Sequence, residues 1–290
     1  MFSAFQHSFP DKLGEMELLN GDWTIKAGNE TFYWAGGRIL PAAEKDRFDY
    51  SPHEFEIYPT SVPSPDMYSS QYIETLRLRG SDETRRSRED QHRGFQAMLY
   101  GGLARREIES RLTGIEFLGK KINVHRDIAG ALQRIDTEIR SAAGKESAQG
   151  SSELSDFIAS IGQIGGYNWR NIHGERRMSY HSWGMAIDIQ PQKPGNKAIY
   201  WLWERARSDQ WMLIPLEARW KPPDRVIEAF EREGFIWGGK WPLYDNMHFE
   251  YRPELHELNR LIARAEKRAI NNRFPGQDLH HLYPDGILRE

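Results

Sequence analysis

Cysteine is absent from the 290-residue chain. That excludes disulfide scaffolds, thiolate metal sites, cysteine nucleophiles and redox switches, and it leaves histidine and carboxylates as the strong metal ligands. A cysteine-free chain is indifferent to oxidation, so the compartment stays open on this count. No apolar run approaches the roughly 20 residues that cross a bilayer, and no membrane span is expected. Excess charge of one sign is missing too: 39 basic and 42 acidic side chains give a formal net charge of −3. Without a global field to attract polyanions, no nucleic-acid partner is expected. The opening MFSAFQHSFPDKLGEMELLNGDW lacks a basic start followed by an apolar stretch, so no export signal is visible in the chain as given, and export stays open. What is present, 39% hydrophobic and 28% charged residues, suits a globular protein with one large or two modest domains.

The first part of the chain is rich in aromatics, proline and charge, with one strand-like run at Glu30 to Tyr33 before the Gly36-Gly37 turn. Residues 1–112 are expected to form an irregular N-terminal accessory region, 113–270 the main domain and 271–290 a tail without periodicity. The run Arg77 to Arg93 balances its arginines with acids and suits a solvated loop or exposed helix face better than a polyanion site. Lys121 to Val124 suits a strand. Asp127 is placed to N-cap a helix whose Ile128, Leu132, Ile135 and Ile139 share one face. Gly144 to Ser152 lacks apolar anchors and reads as a loop, after which Leu154, Phe157, Ile158 and Ile161 resume a helical rhythm. Asp224 is the expected cap of a helix ended by Gly234, Phe235 to Trp237 the next strand, and Glu254 to Ile270 the last helix.

Two segments alternate with period two. In Met185 to Gln190, Met185, Ile187 and Ile189 face one way and Ala186 and Asp188 the other; in Met247 to Tyr251, His248 and Glu250 face away from the apolar positions. His181 precedes Asp188 across Gly184, where a turn would fold it back beside the acid. Two imidazoles and one carboxylate suit zinc, and three protein ligands leave the fourth tetrahedral position open, as catalytic sites do. A nearby acid is then needed to take a proton from water, and Asp245, in a bend after Pro242, is in reach of that position. By spacing alone, a hydrogen-bonded strand histidine is the commoner reading of His248.

The surrounding pattern narrows the choice. Ser179-Tyr180-His181-Ser182-Trp183-Gly184-Met185-Ala186-Ile187-Asp188, followed by Asp245-Asn246-Met247-His248-Phe249-Glu250, closely resembles the zinc D-alanyl-D-alanine carboxypeptidases of the VanY type. It is similar also to their relatives, the L-alanyl-D-glutamate endopeptidases, a group sharing its fold with the hedgehog signalling domain. The resemblance runs from about Phe117 to Glu254. It implies one zinc ion held by His181, Asp188 and His248, and Asp245 as base where many carboxypeptidase members have Glu. It implies Arg170 as the arginine that steadies the substrate, with Arg176 and Arg177 as rivals, and Ser179 as a substrate contact whose other reading is a local backbone cap. Glu250, on the ligand-bearing face, suits a hydrogen bond to a ligand rather than catalysis.

The expected architecture is α+β: a small, mostly antiparallel sheet with helices on one side, like the hedgehog and D-Ala-D-Ala-peptidase fold. The expected activity is hydrolysis of peptidoglycan stem peptides by a D,D-carboxypeptidase in the bacterial cell envelope or periplasm, with a cytoplasmic site as the other possibility. Endopeptidase cleavage of the L-Ala-D-Glu type and a non-catalytic, zinc-stabilised cell-wall binding module are the alternatives. The oligomeric state is not indicated.

Overall fold

Asn20 and Gly21 adopt left-handed φ values of 53° and 90°. A two-residue turn of this kind matches the twist of antiparallel strands, and here it joins β1 (Leu13–Leu19) to β2 (Asp22–Ala27). Turns at Gly28 and at Gly36-Gly37 add β3 (Glu30–Ala35) and β4 (Arg38–Pro41), giving a four-stranded antiparallel meander in chain order. The computed structural model describes residues 1–53, 57–150 and 152–273. The N-terminal region is therefore not an irregular extension. Its alternation is masked because Leu18, Leu19 and Trp23 are exposed apolar residues, while Leu13, Ile25, Ala27, Phe32 and Ile39 form the buried face.

The middle of the chain begins with the hairpin β5 (Leu112–Phe117) and β6 (Lys120–His125), followed by the helix Arg126–Ala148. The expected buried stripe of Ile128, Leu132, Ile135 and Ile139 is present. The cap is His125 rather than Asp127: its ring accepts the Asp127 amide at 3.2 Å, leaving the acid in the first turn. The helix also runs through Gly144 to Ala148, where a loop was expected. Ala143 and Glu146 are buried there, and the Glu146 carboxylate accepts the Leu154 amide at 3.1 Å and pairs with Arg225, which ties the end of this helix to the helix Glu153–Ser160.

A second sheet carries the period-two segments. Its strands β7 (Ile161–Gly165), β8 (Ala186–Pro191), β9 (Phe235–Trp237) and β10 (His248–Tyr251) lie in the order β7-β8-β10-β9, all antiparallel. The helix Asp224–Arg232 supplies Val226, Ile227, Ala229 and Phe230 to the core; Pro223 occupies the cap position and Asp224 the first turn. The last helix, Pro253–Arg273, packs against the N-terminal helix Phe2–Ser8. The rest of the expected tail, with His280 and His281, lies outside the described residues. The whole is an α+β arrangement of small antiparallel sheets and helices. No helix among the described residues is long and apolar enough to cross a membrane.

One core cluster joins side chains from both sides of residue 113, among them Phe2, Phe32, Phe95, Leu132, Ile187, Phe230 and Phe249. A second unites Leu76 with Trp201, Trp211, Met212 and Tyr244. Phe230 is fully buried, stacked on Phe249 at 4.0 Å between ring centroids and edge-on to Phe235 and Phe117. Removing such a ring forfeits transfer energy and leaves a cavity, so Phe230→Ala should cost about 3–5 kcal/mol in urea unfolding. A loss below about 1 kcal/mol would show that the site collapses freely.

Candidate metal centre

β8 and β10 pair with His248 opposite Asp188. Residues facing each other in an antiparallel pair carry their side chains on the same face, so the register by itself brings imidazole and carboxylate together: His248 Nδ1 lies 2.9 Å from Asp188 Oδ1. His181 arrives from the short 3-10 turn Tyr180–Trp183 just before β8. Gly184 ends that turn at φ 67°, and a Cβ there would come within 2.7 Å of the His125 amide nitrogen, so only glycine fits. The turn places His181 Nε2 3.1 Å from Asp188 Oδ2. Donor atoms of His181, Asp188 and His248 all lie within 4.8 Å of one another.

Both imidazoles are held from behind. His181 Nδ1 donates to the Gly166 carbonyl at 2.7 Å, which turns Nε2 toward the centre; Nε2 is buried and makes no hydrogen bond of its own. His248 Nε2 donates to Glu250 Oε2 at 3.0 Å and presents Nδ1 to the centre. Outer hydrogen bonds of this sort fix ring orientation in metal sites. A buried nitrogen that faces Asp188 without a hydrogen bond, a second imidazole nitrogen and a carboxylate oxygen form a donor set that fits a zinc-like cation. This group could hold a metal ion.

Charge alternates through the site. Burial pushes the Asp188 carboxyl up, but the His181 and His248 imidazoles outweigh it and hold it well below the usual carboxylate range. For His248, burial works against the charged ring, yet its bonds to Asp188 and Glu250 prevail and raise it to about 10. Glu250 is in turn bonded by Arg252 at 3.0 Å, and despite its burial it is lowered by His248 and Arg252. Asp245 moves the other way: burial and then the Asp188 charge push it up to about 7, against the opposing pull of His248, the Met247 amide and Arg170. Its backbone is fixed by a bond to the Gly238 carbonyl at 3.0 Å and by a bridge to Tyr200.

The arginines separate by partner. Arg176 pairs with Glu89 at 2.7 Å and Arg177 with Glu175 at 2.6 Å. Arg170 is exposed; its guanidinium reaches only the Asn171 carbonyl, and no carboxylate among the described residues pairs with it. Ser179 is buried, with Oγ accepting the His181 amide at 3.4 Å, so it caps the turn that carries the ligand. Residues that sequence reading missed do much of the positioning. Ser182 Oγ accepts the Arg170 amide at 2.8 Å and donates to its carbonyl at 2.6 Å, and Trp237 Nε1 donates to the Asn246 carbonyl at 3.0 Å. Arg252 continues the period-two series of His248 and Glu250, a signal that was available; nothing local marked Ser182, and a tryptophan at a strand end such as Trp237 reads by default as core packing, where the structure also places it.

Residues 173–251 match a family described as D-alanyl-D-alanine carboxypeptidase. The matched stretch contains the three clustered donors, Asp245 and Glu250, and it begins after Arg170. Residues 1–53 match a domain of unknown function. No curated protein and no solved structure matches the chain. The match supports a peptidase, and the donor cluster within it supports metal dependence.

A metal ion needs His248 Nδ1 free of its proton, and a ring raised to about 10 still holds that proton at neutral pH. The proton competes at every pH below this value, so apparent zinc affinity should rise with pH, about tenfold per unit between about pH 6 and 8 for one proton displaced. Zinc titration calorimetry in buffers of different ionisation enthalpy reads the released proton directly. An affinity indifferent to pH over that range would refute the protonated His248.

Proposed function

We propose that this chain is a zinc peptidase acting on the stem peptides of peptidoglycan in the cell envelope, and that it releases the terminal D-alanine as a D,D-carboxypeptidase. The observation that carries the reading is the convergence of His181, Asp188 and His248 beside an acid, Asp245, that is pushed up to about 7. Its support is that this arrangement lies within the segment matching the D-alanyl-D-alanine carboxypeptidase family. The hedgehog-like fold and an accessory region ending near residue 112, packed on a shared core with the peptidase region, belong to the same proposal; the expected boundary at 270 falls inside the helix Pro253–Arg273.

Zinc held by the three donors would supply a Lewis acid and lower the pKa of water to roughly 7. Asp245 takes the proton from the attacking water and passes it to the leaving amine, and burial, the larger of the two causes that raise it, makes it a better proton donor than an ordinary aspartate. Glu250 holds His248 by its Nε2 hydrogen and stays off the reacting atoms. Arg170 receives the substrate's free carboxylate, since a guanidinium without an acidic partner can form two parallel hydrogen bonds to it. Exposed Arg170 also bears on Asp245, whose ionised form it favours.

Zinc-loaded protein incubated with a synthetic pentapeptide stem should release a single D-Ala, read by mass spectrometry. Internal fragments would indicate endopeptidase cleavage, and no product from protein holding one zinc would indicate a binding module. Asp245→Ala should keep its zinc and lose at least about a hundredfold in kcat, the usual scale of general acid–base catalysis. Retained turnover would remove Asp245 from the base role.

The same acid should cost stability. Because its folded pKa, about 7, exceeds the ordinary aspartate value, the native state holds a proton that the unfolded chain releases, and the penalty grows from about pH 4 to 7. Metal-free Asp245→Asn should therefore melt higher than the parent at pH 8 and show little difference at pH 4. Equal differences at both would deny the shift.

A further inference from the structure

The segment 171–178 folds back on itself. Asn171 and Met178 form a bridge, the Ile172 amide donates to the Arg177 carbonyl at 2.8 Å, and the tip turns at Gly174 with φ 75°. Immediately before this loop stands Arg170, its carbonyl accepting the Ser179 amide at 3.1 Å. The tip is gripped by a residue from far earlier in the chain. Arg85, in the helix Asp82–Ser87, is 3% exposed; it donates to the His173 carbonyl, lies 3.7 Å from the Glu175 carboxylate and covers the face of Trp201 at 5.2 Å. Most of Arg77 to Arg93 is exposed or half-buried, as a solvated face should be, and Arg85 is the arginine that departs from that expectation. A surface helix gains nothing from an inward guanidinium, whose desolvation is costly unless every partner is supplied.

Those partners belong to two segments near the acid: one follows Arg170, whose charge bears on Asp245, and the other pairs with Asp245. One is the loop next to Arg170. The other is Tyr200-Trp201, where Tyr200 bridges Asp245 and the Trp201 amide donates to the Tyr244 carbonyl at 3.0 Å. We propose that Arg85 is a positioning residue for substrate binding: by clamping His173 and Glu175 against Trp201, it fixes the distance between Arg170 and Asp245. The inference rests on the reading of Arg170 as the carboxylate contact. It gives the region before the matched segment a role in the reaction, since misplacing a binding group by about 1 Å can cost up to a hundredfold in rate.

A double-mutant cycle on the full-length, zinc-loaded chain tests it, with the pentapeptide as substrate. Arg85→Met should keep one zinc per chain and raise KM about tenfold with little change in kcat, the pattern of lost binding rather than lost chemistry. In an Arg170→Ala background the same change should cost less than about twofold, because the group being positioned is gone. Arg85→Lys, which keeps charge without the fork, should fall between parent and Arg85→Met. Hydrogen exchange at the Ile172 and Glu175 amides should quicken in Arg85→Met. Should Arg85→Met not fold, Glu175→Gln loosens the same clamp from the loop side and enters the same cycle. Fully multiplicative effects of the Arg85 and Arg170 changes would overturn the clamp while sparing the Arg170 reading. An unchanged KM in Arg170→Ala would overturn both.

Discussion

Two strands, separated by the whole of residues 192–247, are held in one register with His248 opposite Asp188. A slip of β10 by one residue would turn His248 to the other face and dissolve the cluster. The register is enforced by the opposite face, where Ile187 and Phe249 are fully buried and Phe230 stacks on Phe249. Core packing on one side of the sheet thus sets ligand geometry on the other. Only His181 is supplied from outside the pair, and it depends on the glycine that ends its turn.

A line of alternating charge extends from this register: Asp188, His248, Glu250, Arg252 and Glu254, with Arg252 also lying over the Tyr180 ring at 4.9 Å. His248, Glu250 and Glu254 are buried and Asp188 and Arg252 partly so, and an unpaired buried member would be expensive. Without a metal ion, the proton on His248 is what reconciles Asp188 with Glu250. A divalent cation held by Asp188 and the imidazoles would supply that positive charge instead, and its uptake would then be linked to deprotonation. Asp245 stands outside the line. The two aspartates near the centre are driven in opposite directions, one held ionised by imidazoles and the other kept close to neutrality by burial and by its neighbour's charge. On the proposed reading, this split lets one site hold a ligand and a proton carrier made of the same side chain.

What could be read from the sequence was local and periodic. The alternation in Met185 to Gln190 and Met247 to Tyr251, and the stripe of Ile128, Leu132, Ile135 and Ile139, are each short-range patterns that the structure repeats. The cap at His125 was hidden because histidine is a less common cap than the aspartate beside it. The N-terminal meander was overlooked because exposed Leu18, Leu19 and Trp23 blur its alternation, although the Asn20-Gly21 pair announced its first turn. Arg85 could not be read at all. Its burial depends on His173, Glu175 and Trp201, distant in sequence, and a charge run gives no sign of which member turns inward.

The same distant contacts bear on which guanidinium meets the substrate. Three arginines compete, and the structure ranks them by what already neutralises each. Glu89 takes Arg176 and Glu175 takes Arg177, while Glu175 is itself braced by Arg85. Two of those partners, Glu89 and Arg85, lie before the segment that matches the peptidase family. Tyr244, the neighbour of Asp245, is likewise packed against Leu76 and Trp201 in the second core cluster. On the proposed reading, the matched segment holds the metal donors and the acid, whereas the earlier region decides which positive charge is left free and how firmly the walls beside it are held. Arginine identity at such a site is then a property of ion-pair competition across the whole chain, not of the motif that contains the ligands.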